Sequence, residues 1–171
     1  MIKLPDPAFN AAVMTMARKV WRHGYDTSDH PSYAPAPGRP GPRYISADHY
    51  FADISERRRV TVYTGHSDNT IFGFKEIHWD FLAWHEWTHR ALCAPFTLDG
   101  ELDVAHRQCA DLARVYGHGV RTTEWQQVIM AEVYGQALFQ EAHDEFPTNP
   151  FAFDATWLRY GAETIEFYRN A

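Results

Sequence analysis

From Asp80 onward, apolar residues recur every three to four positions, and only Pro95, the pair Gly117 and Gly119, and Pro147 with Pro150 break the pattern. That period belongs to helices with one buried face, and prolines and glycines end them. It predicts helices over residues 80–93, 100–116, 122–143 and 152–169, with Thr123 as a candidate cap for the third. An earlier helix is expected over 7–23, where Phe9, Val13, Met16, Ala17 and Val20 share a face and Gly24 follows. Pro5, Asp6 and Asn10 interrupt the apolar N-terminal stretch, and Arg18, Lys19 and Arg22 follow it. It therefore reads as an amphipathic helix and not as a signal sequence.

The strand period of two occurs in one region. Residues 59–64 (RVTVYT) alternate and are β-branched or aromatic, Gly65 to Asn69 is a turn cluster, and residues 70–77 (TIFGFKEI) read as a second strand. The two are expected to pair as a β-hairpin, with a bulge at Gly73. Residues 24–44 hold Pro31, Pro35, Pro37, Pro40 and Pro42 with Gly38 and Gly41, and read as a loop anchored by Tyr25, Tyr33 and Tyr44. The expected fold is α+β: mostly helical, one domain over 1–171, with a small sheet packed on the helix at 80–93. No stretch of about 18 apolar residues occurs, so no membrane span is expected. A cytoplasmic location is expected.

The chemistry is carried by His85-Glu86-Trp87-Thr88-His89. Histidines at i and i+4 lie one turn apart on one helix face, so both imidazoles can reach a single ion at about 2.0–2.1 Å. Glu86 points elsewhere on the helix and suits the role of base toward a water polarised by that ion. Zinc, one per chain, is the expected metal, although His and carboxylate ligands accept other divalent ions.

A catalytic zinc needs a third protein ligand. The extended pattern HExxHxxGxxH is absent, because Pro95 stands where its third histidine would be. Glu132 is the first choice. It lies in the mainly apolar run VIMAEVYGQALF, where an unpaired carboxylate is costly and a metal would remove that cost. Gly135 beside it permits close helix packing. Glu101, Asp103 and His106 on the preceding helix are the rivals.

These segments resemble a known family. HEWTH followed by a helix bearing AEVYGQALF is similar to zincin-like metallopeptidases of the gluzincin arrangement. More narrowly, it resembles the metallopeptidase domains of phage and plasmid antirestriction-type polyvalent proteins and of ImmA/IrrE-type peptidases. The resemblance spans residues from about 59 to 140. It implies His85, His89 and Glu132 as zinc ligands and Glu86 as the base.

The expected function is therefore zinc-dependent hydrolysis of a peptide bond in a protein or peptide substrate, with Tyr134, Tyr116 or His118 as candidate oxyanion stabilisers. Two alternatives remain open. One is a binding module stabilised by a metal and without turnover. The other is a phage or bacterial interaction protein using the proline-rich segment as its contact. The net charge of −6 argues against nucleic acid as a partner, and Arg57-Arg58-Arg59 reads as a solvated turn. Cys93 and Cys109 form no CxxC pair and read as buried thiols, not ligands. The sequence leaves the oligomeric state open.

Overall fold

The computed structural model describes residues 2–20, 24–29, 47–65 and 67–169. Among the described residues, eight α-helices and two short strands run in the order α1 (Pro7–Val20), β1 (Asp26–Ser28), α2 (Ala47–Arg57), β2 (Thr61–Tyr63), α3 (Lys75–Leu92), α4 (Leu98–Tyr116), α5 (Val120–Ile129), α6 (Gln136–His143), α7 (Pro150–Tyr160) and α8 (Thr164–Phe167). A π-helical segment, Met130–Gly135, joins α5 to α6, and a 3-10 turn, Gly161–Glu163, joins α7 to α8. The α+β character and the helical majority follow the sequence expectation. Among the described residues no helix is long and apolar enough to cross a membrane.

The start of α1 explains the polar residues in the N-terminal stretch. Asp6 Oδ1 accepts from the Ala8 N–H at 2.9 Å, capping the helix just before Pro7. Its other oxygen accepts from Trp125 Nε1 at 3.1 Å, and Asn10 Nδ2 donates to the Phe72 carbonyl at 2.8 Å. These side chains tie α1 to the body while Phe9, Val13 and Met16 enter the core.

The expected hairpin is absent. Residues 70–73 form a turn in which the Gly73 N–H donates to the Thr70 carbonyl at 3.1 Å, and α3 already begins at Lys75. Gly73 has φ +72, which a strand does not use. Ile71 and Phe72 are buried, so their apolar character reflects a turn pressed into the helical core and not a pleated surface. The partner of β2 is β1, which lies in the segment expected to be loop. The pair is parallel, with Asp26 opposite Thr61, Thr27 opposite Val62 and Ser28 opposite Tyr63. Arg57 and Arg59 hold it together: Arg57 reaches Asp53 at 2.6 Å and Asp26 at 3.3 Å, and Arg59 reaches Asp26 at 2.9 Å. Two of the three expected solvated arginines are thus internal clamps. Tyr33, Tyr44 and the prolines of the proline-rich segment lie outside the described residues.

Helix α3 is shared between two apolar clusters. Phe81 and Trp84 pack with Phe9, Val13, Phe72, Leu112 and Ile129. Ala83 joins Tyr50, Phe51, Ile54, Val60 and Val62, with Trp87 and Phe96 alongside. Burying Phe and Trp side chains of this kind contributes roughly 1.5–3 kcal/mol each. The remaining face of α3 carries His85 and His89.

Two long expected helices are interrupted. The stretch expected over 122–143 begins at Val120 and widens into the π-segment at Met130. The stretch expected over 152–169 starts at Pro150, where Asn149 Oδ1 accepts from the Ala152 N–H, and breaks at Gly161, φ +61. Gly135 does permit a close approach, of Trp157 from α7: a Cβ there would lie 2.9 Å from the indole ring.

Candidate metal centre

The connection between α3 and α4 builds the site. Cys93 adopts a left-handed conformation, φ 51, and ends α3, with its N–H donating to the Arg90 carbonyl. Thr97 then caps α4 by accepting from the Gly100 N–H at 3.3 Å. Gly100 presses against the preceding turn, because a Cβ there would fall 1.9 Å from the Pro95 carbonyl oxygen. This tight reversal carries the next residue, Glu101, back over the end of α3.

The result is a triangle of ligand atoms. His85 Nε2 and His89 Nε2 are 3.1 Å apart. Glu101 Oε1 lies 3.2 Å from His89 Nε2, and Glu101 Oε2 lies 3.4 Å from His85 Nε2. Donors held about 2.0–2.1 Å from a tetrahedral zinc stand about 3.3 Å from one another, so the three edges match such a centre. A His₂-carboxylate set with a fourth position open is also the donor chemistry of catalytic zinc.

The surrounding groups suit that role. His89 is fully buried, and its Nδ1 donates to the Ala94 carbonyl at 3.1 Å, which directs the Nε2 lone pair into the triangle. Phe96 covers the same ring, with centroids 4.5 Å apart. Burial lowers the pKa of His85 to about 4, assisted by the charge of His89 and opposed by Glu101, so His85 is a neutral ligand at ordinary pH. For His89 burial also acts downward, but the bond and charge of Glu101 outweigh it and leave its pKa raised. Burial pushes the Glu101 carboxyl up, yet His85 and His89 hold it below its ordinary value.

Glu86 sits beside the triangle on the same helix. Burial raises its pKa to about 7, with Glu101 adding to the rise and His89 and the Tyr50 hydroxyl opposing it. A carboxyl titrating there is matched to proton transfer at neutral pH. Its Oε2 is buried without a hydrogen-bond partner among the described residues.

Glu132, the first choice for third ligand, stands in a different network. In the π-segment it accepts from His78 Nε2 at 3.2 Å through Oε1 and from Gln136 Nε2 at 3.0 Å through Oε2, and it bonds to Asp154. His78 in turn meets Ser67 Oγ at 3.1 Å through Nδ1. The cost of burying this carboxylate is offset by hydrogen-bond donors, and the triangle is completed by its rival Glu101. Asp103 and His106 lie on the exposed side of α4. Tyr134 packs edge-on against Trp157, Tyr116 packs edge-on against Trp125, and His118 is exposed.

Family models, curated proteins and solved structures were all compared with the chain, and none matches it. The reading of the centre rests on its own geometry.

Three contributors escaped the sequence reading. Tyr50 belongs to α2, a helix not anticipated although Tyr50, Phe51 and Ile54 occur at helical spacing. The Ala94 carbonyl depends on a backbone turn. Gln108, two turns beyond Glu101 on α4, carries no signal in the sequence and is fully buried.

Proposed function

We propose that the chain is a zinc-dependent hydrolase acting on peptide bonds, with His85, His89 and Glu101 holding the metal and Glu86 as general base. The observation that carries the reading is the coincidence of the His85–His89–Glu101 triangle with a buried carboxyl of pKa about 7 beside it. Zinc bound there supplies a Lewis acid for the scissile carbonyl and lowers the pKa of a coordinated water. Glu86 takes the proton of the attacking water and returns it to the leaving amine, the two duties of a base titrating near neutrality. His89, fixed by Ala94, and Glu101, fixed by the Gly100 turn, keep the donor set preorganised. The substrate expected is a protein or peptide, as in the families the sequence resembles, and the setting expected is cytoplasmic, where the free thiols Cys93 and Cys109 persist.

The test is elemental analysis with turnover of a peptide library by wild type, His89→Ala and Glu86→Gln. Zinc near one per chain in wild type and Glu86→Gln, zinc lost in His89→Ala, and cleavage by wild type alone support the reading. Absence of zinc from wild type after metal add-back removes it.

One feature favours a second reading, a non-catalytic module whose metal is structural. The ligands, His89 buried and His85 and Glu101 partly so, join α3 to α4, as a stabilising tie would. That reading expects zinc in the wild type, no cleavage of any peptide, and loss of the cooperative unfolding transition on chelation.

A further inference from the structure

Gln108 projects from the same face of α4 as Glu101, about two turns further on. Its side chain is fully buried, yet neither its Oε1 nor its Nε2 attains hydrogen-bond geometry with a described residue. A buried amide in that condition carries a desolvation cost that a leucine at the same position would not carry. His85 Nδ1 is also buried and also without a hydrogen-bond partner among the described residues. The Gln108 side chain is near enough to the His85 imidazole to act on it, and it favours the charged form of the ring.

The two histidines of the triangle thus differ in one respect. His89 has its Nδ1 proton fixed by Ala94. His85 Nδ1 has no such bond among the described residues, and Gln108 is the side chain that acts on its ring through a hydrogen bond. An imidazole that ligates through Nε2 carries its proton on Nδ1, and that proton needs an acceptor to hold ring and tautomer.

We propose that Gln108 is the positioning residue of His85: its Oε1 accepts the Nδ1 proton and keeps Nε2 directed at the point shared with His89 and Glu101. This rests on the reading of those three residues as metal ligands. It adds a buried second layer on α4, so one helix supplies both a ligand, Glu101, and the support of a ligand from the facing helix.

The experiment compares wild type, Gln108→Leu and Gln108→Glu in the full chain. Zinc affinity is measured by competition with a chromophoric chelator, and the His85 tautomer by long-range proton–nitrogen correlation. Thermal unfolding is recorded in excess chelator. The expected result is a 10–100-fold weaker zinc affinity in Gln108→Leu, the usual effect of removing such a support. Its unfolding temperature in chelator should equal or exceed that of wild type, and in the metal-free protein its His85 ring should lose the single Nδ1-protonated form. Gln108→Glu keeps an acceptor and should keep wild-type affinity. Should Gln108→Leu fail to fold, Gln108→Met, of similar volume and without a strong acceptor, carries the comparison. Wild-type affinity and tautomer in the leucine or methionine variant would overturn the positioning role and leave the metal centre standing. A wild type that binds no zinc would overturn both.

Discussion

Gly100 and Pro95 are in backbone contact, so close that a methyl group on Gly100 would overlap the Pro95 carbonyl oxygen at 1.9 Å. Only glycine fits, and this contact sets where Glu101 stands relative to His85 and His89. Gly100→Ala is therefore expected to open the α3–α4 turn and to act at a distance on the metal centre. Overpacking of this kind costs about 1–3 kcal/mol, and the neighbouring atom here is backbone, which yields least. Urea unfolding should show that loss, and zinc titration should show weaker binding, although the substituted residue bears no ligand. Unchanged zinc affinity would mean that the turn is not what places Glu101.

Glu101 and Glu132 separate two functions that a sequence reader would merge. Glu101→Ala removes a corner of the triangle and should abolish stoichiometric zinc binding while leaving the apolar clusters intact. Glu132→Gln should keep the zinc and lose stability instead, by about 1–3 kcal/mol, because it unbalances a buried network with His78, Gln136 and Asp154. Elemental analysis and urea unfolding on both variants decide it. Zinc lost in Glu132→Gln and kept in Glu101→Ala would return Glu132 to the centre.

That pair also marks where the sequence stops being legible. The spacing of His85 and His89 needs only one helix turn, so local pattern suffices to align them. The position of the candidate third ligand, Glu101, depends on how α4 returns from α3, and that depends on a glycine meeting a carbonyl five residues away, which no periodicity encodes. The buried-carboxylate argument for Glu132 was sound in its premise. It could not tell a metal from three hydrogen-bond partners, since both relieve the same desolvation. The hairpin over 70–77 failed for a related reason: Ile71 and Phe72 are apolar because a turn is buried, and a short apolar run looks alike in a strand and in a packed turn. Helix α2 was missed because Tyr50, Phe51 and Ile54 sit in an otherwise polar stretch and find their partners in β2 and α3.

Asp154 is fully buried, and burial followed by the charge of Glu132 raises its pKa well above the ordinary value of 3.8, while Gln136 opposes the rise. Burial and the neighbouring carboxylate thus favour its protonated form, in which it donates to Glu132. The unfolded chain ionises Asp154 as pH rises above about 3.9, so across the window up to its folded pKa the folded state binds the extra proton. Stability from this group is complete below the unfolded pKa and falls by about 1.4 kcal/mol per pH unit through the window. Asp154→Asn has the same shape, donates through Nδ2 to Glu132 and accepts through Oδ1 from Gln136, without the penalty. The variant is expected to be more stable than wild type at pH 7 and equal to it near pH 4. Denaturant unfolding at the two pH values provides the check, and a variant less stable at pH 7 would show that Asp154 is ionised there.

Zinc uptake should release one proton per ion near pH 6, and not two. Two ordinary histidines with pKa about 6.5 would each be mostly protonated at pH 6, and both protons would have to leave. Here burial above all holds His85 at about 4, so it is already neutral. His89 is different: burial acts to lower its pKa, but pairing with Glu101 raises it above 6.5, so it enters the reaction protonated. The sign follows directly. A raised histidine pKa opposes metal binding below that pKa, and zinc affinity should fall about tenfold for each pH unit of acidification, the slope of a single competing proton. Calorimetric titration in two buffers of different ionisation enthalpy counts the protons released. His85→Ala should lower affinity without changing that count, whereas His89→Ala should remove the released proton together with most of the binding. Two protons released by wild type would mean that His85 is exposed to water and that the triangle forms only when the metal arrives.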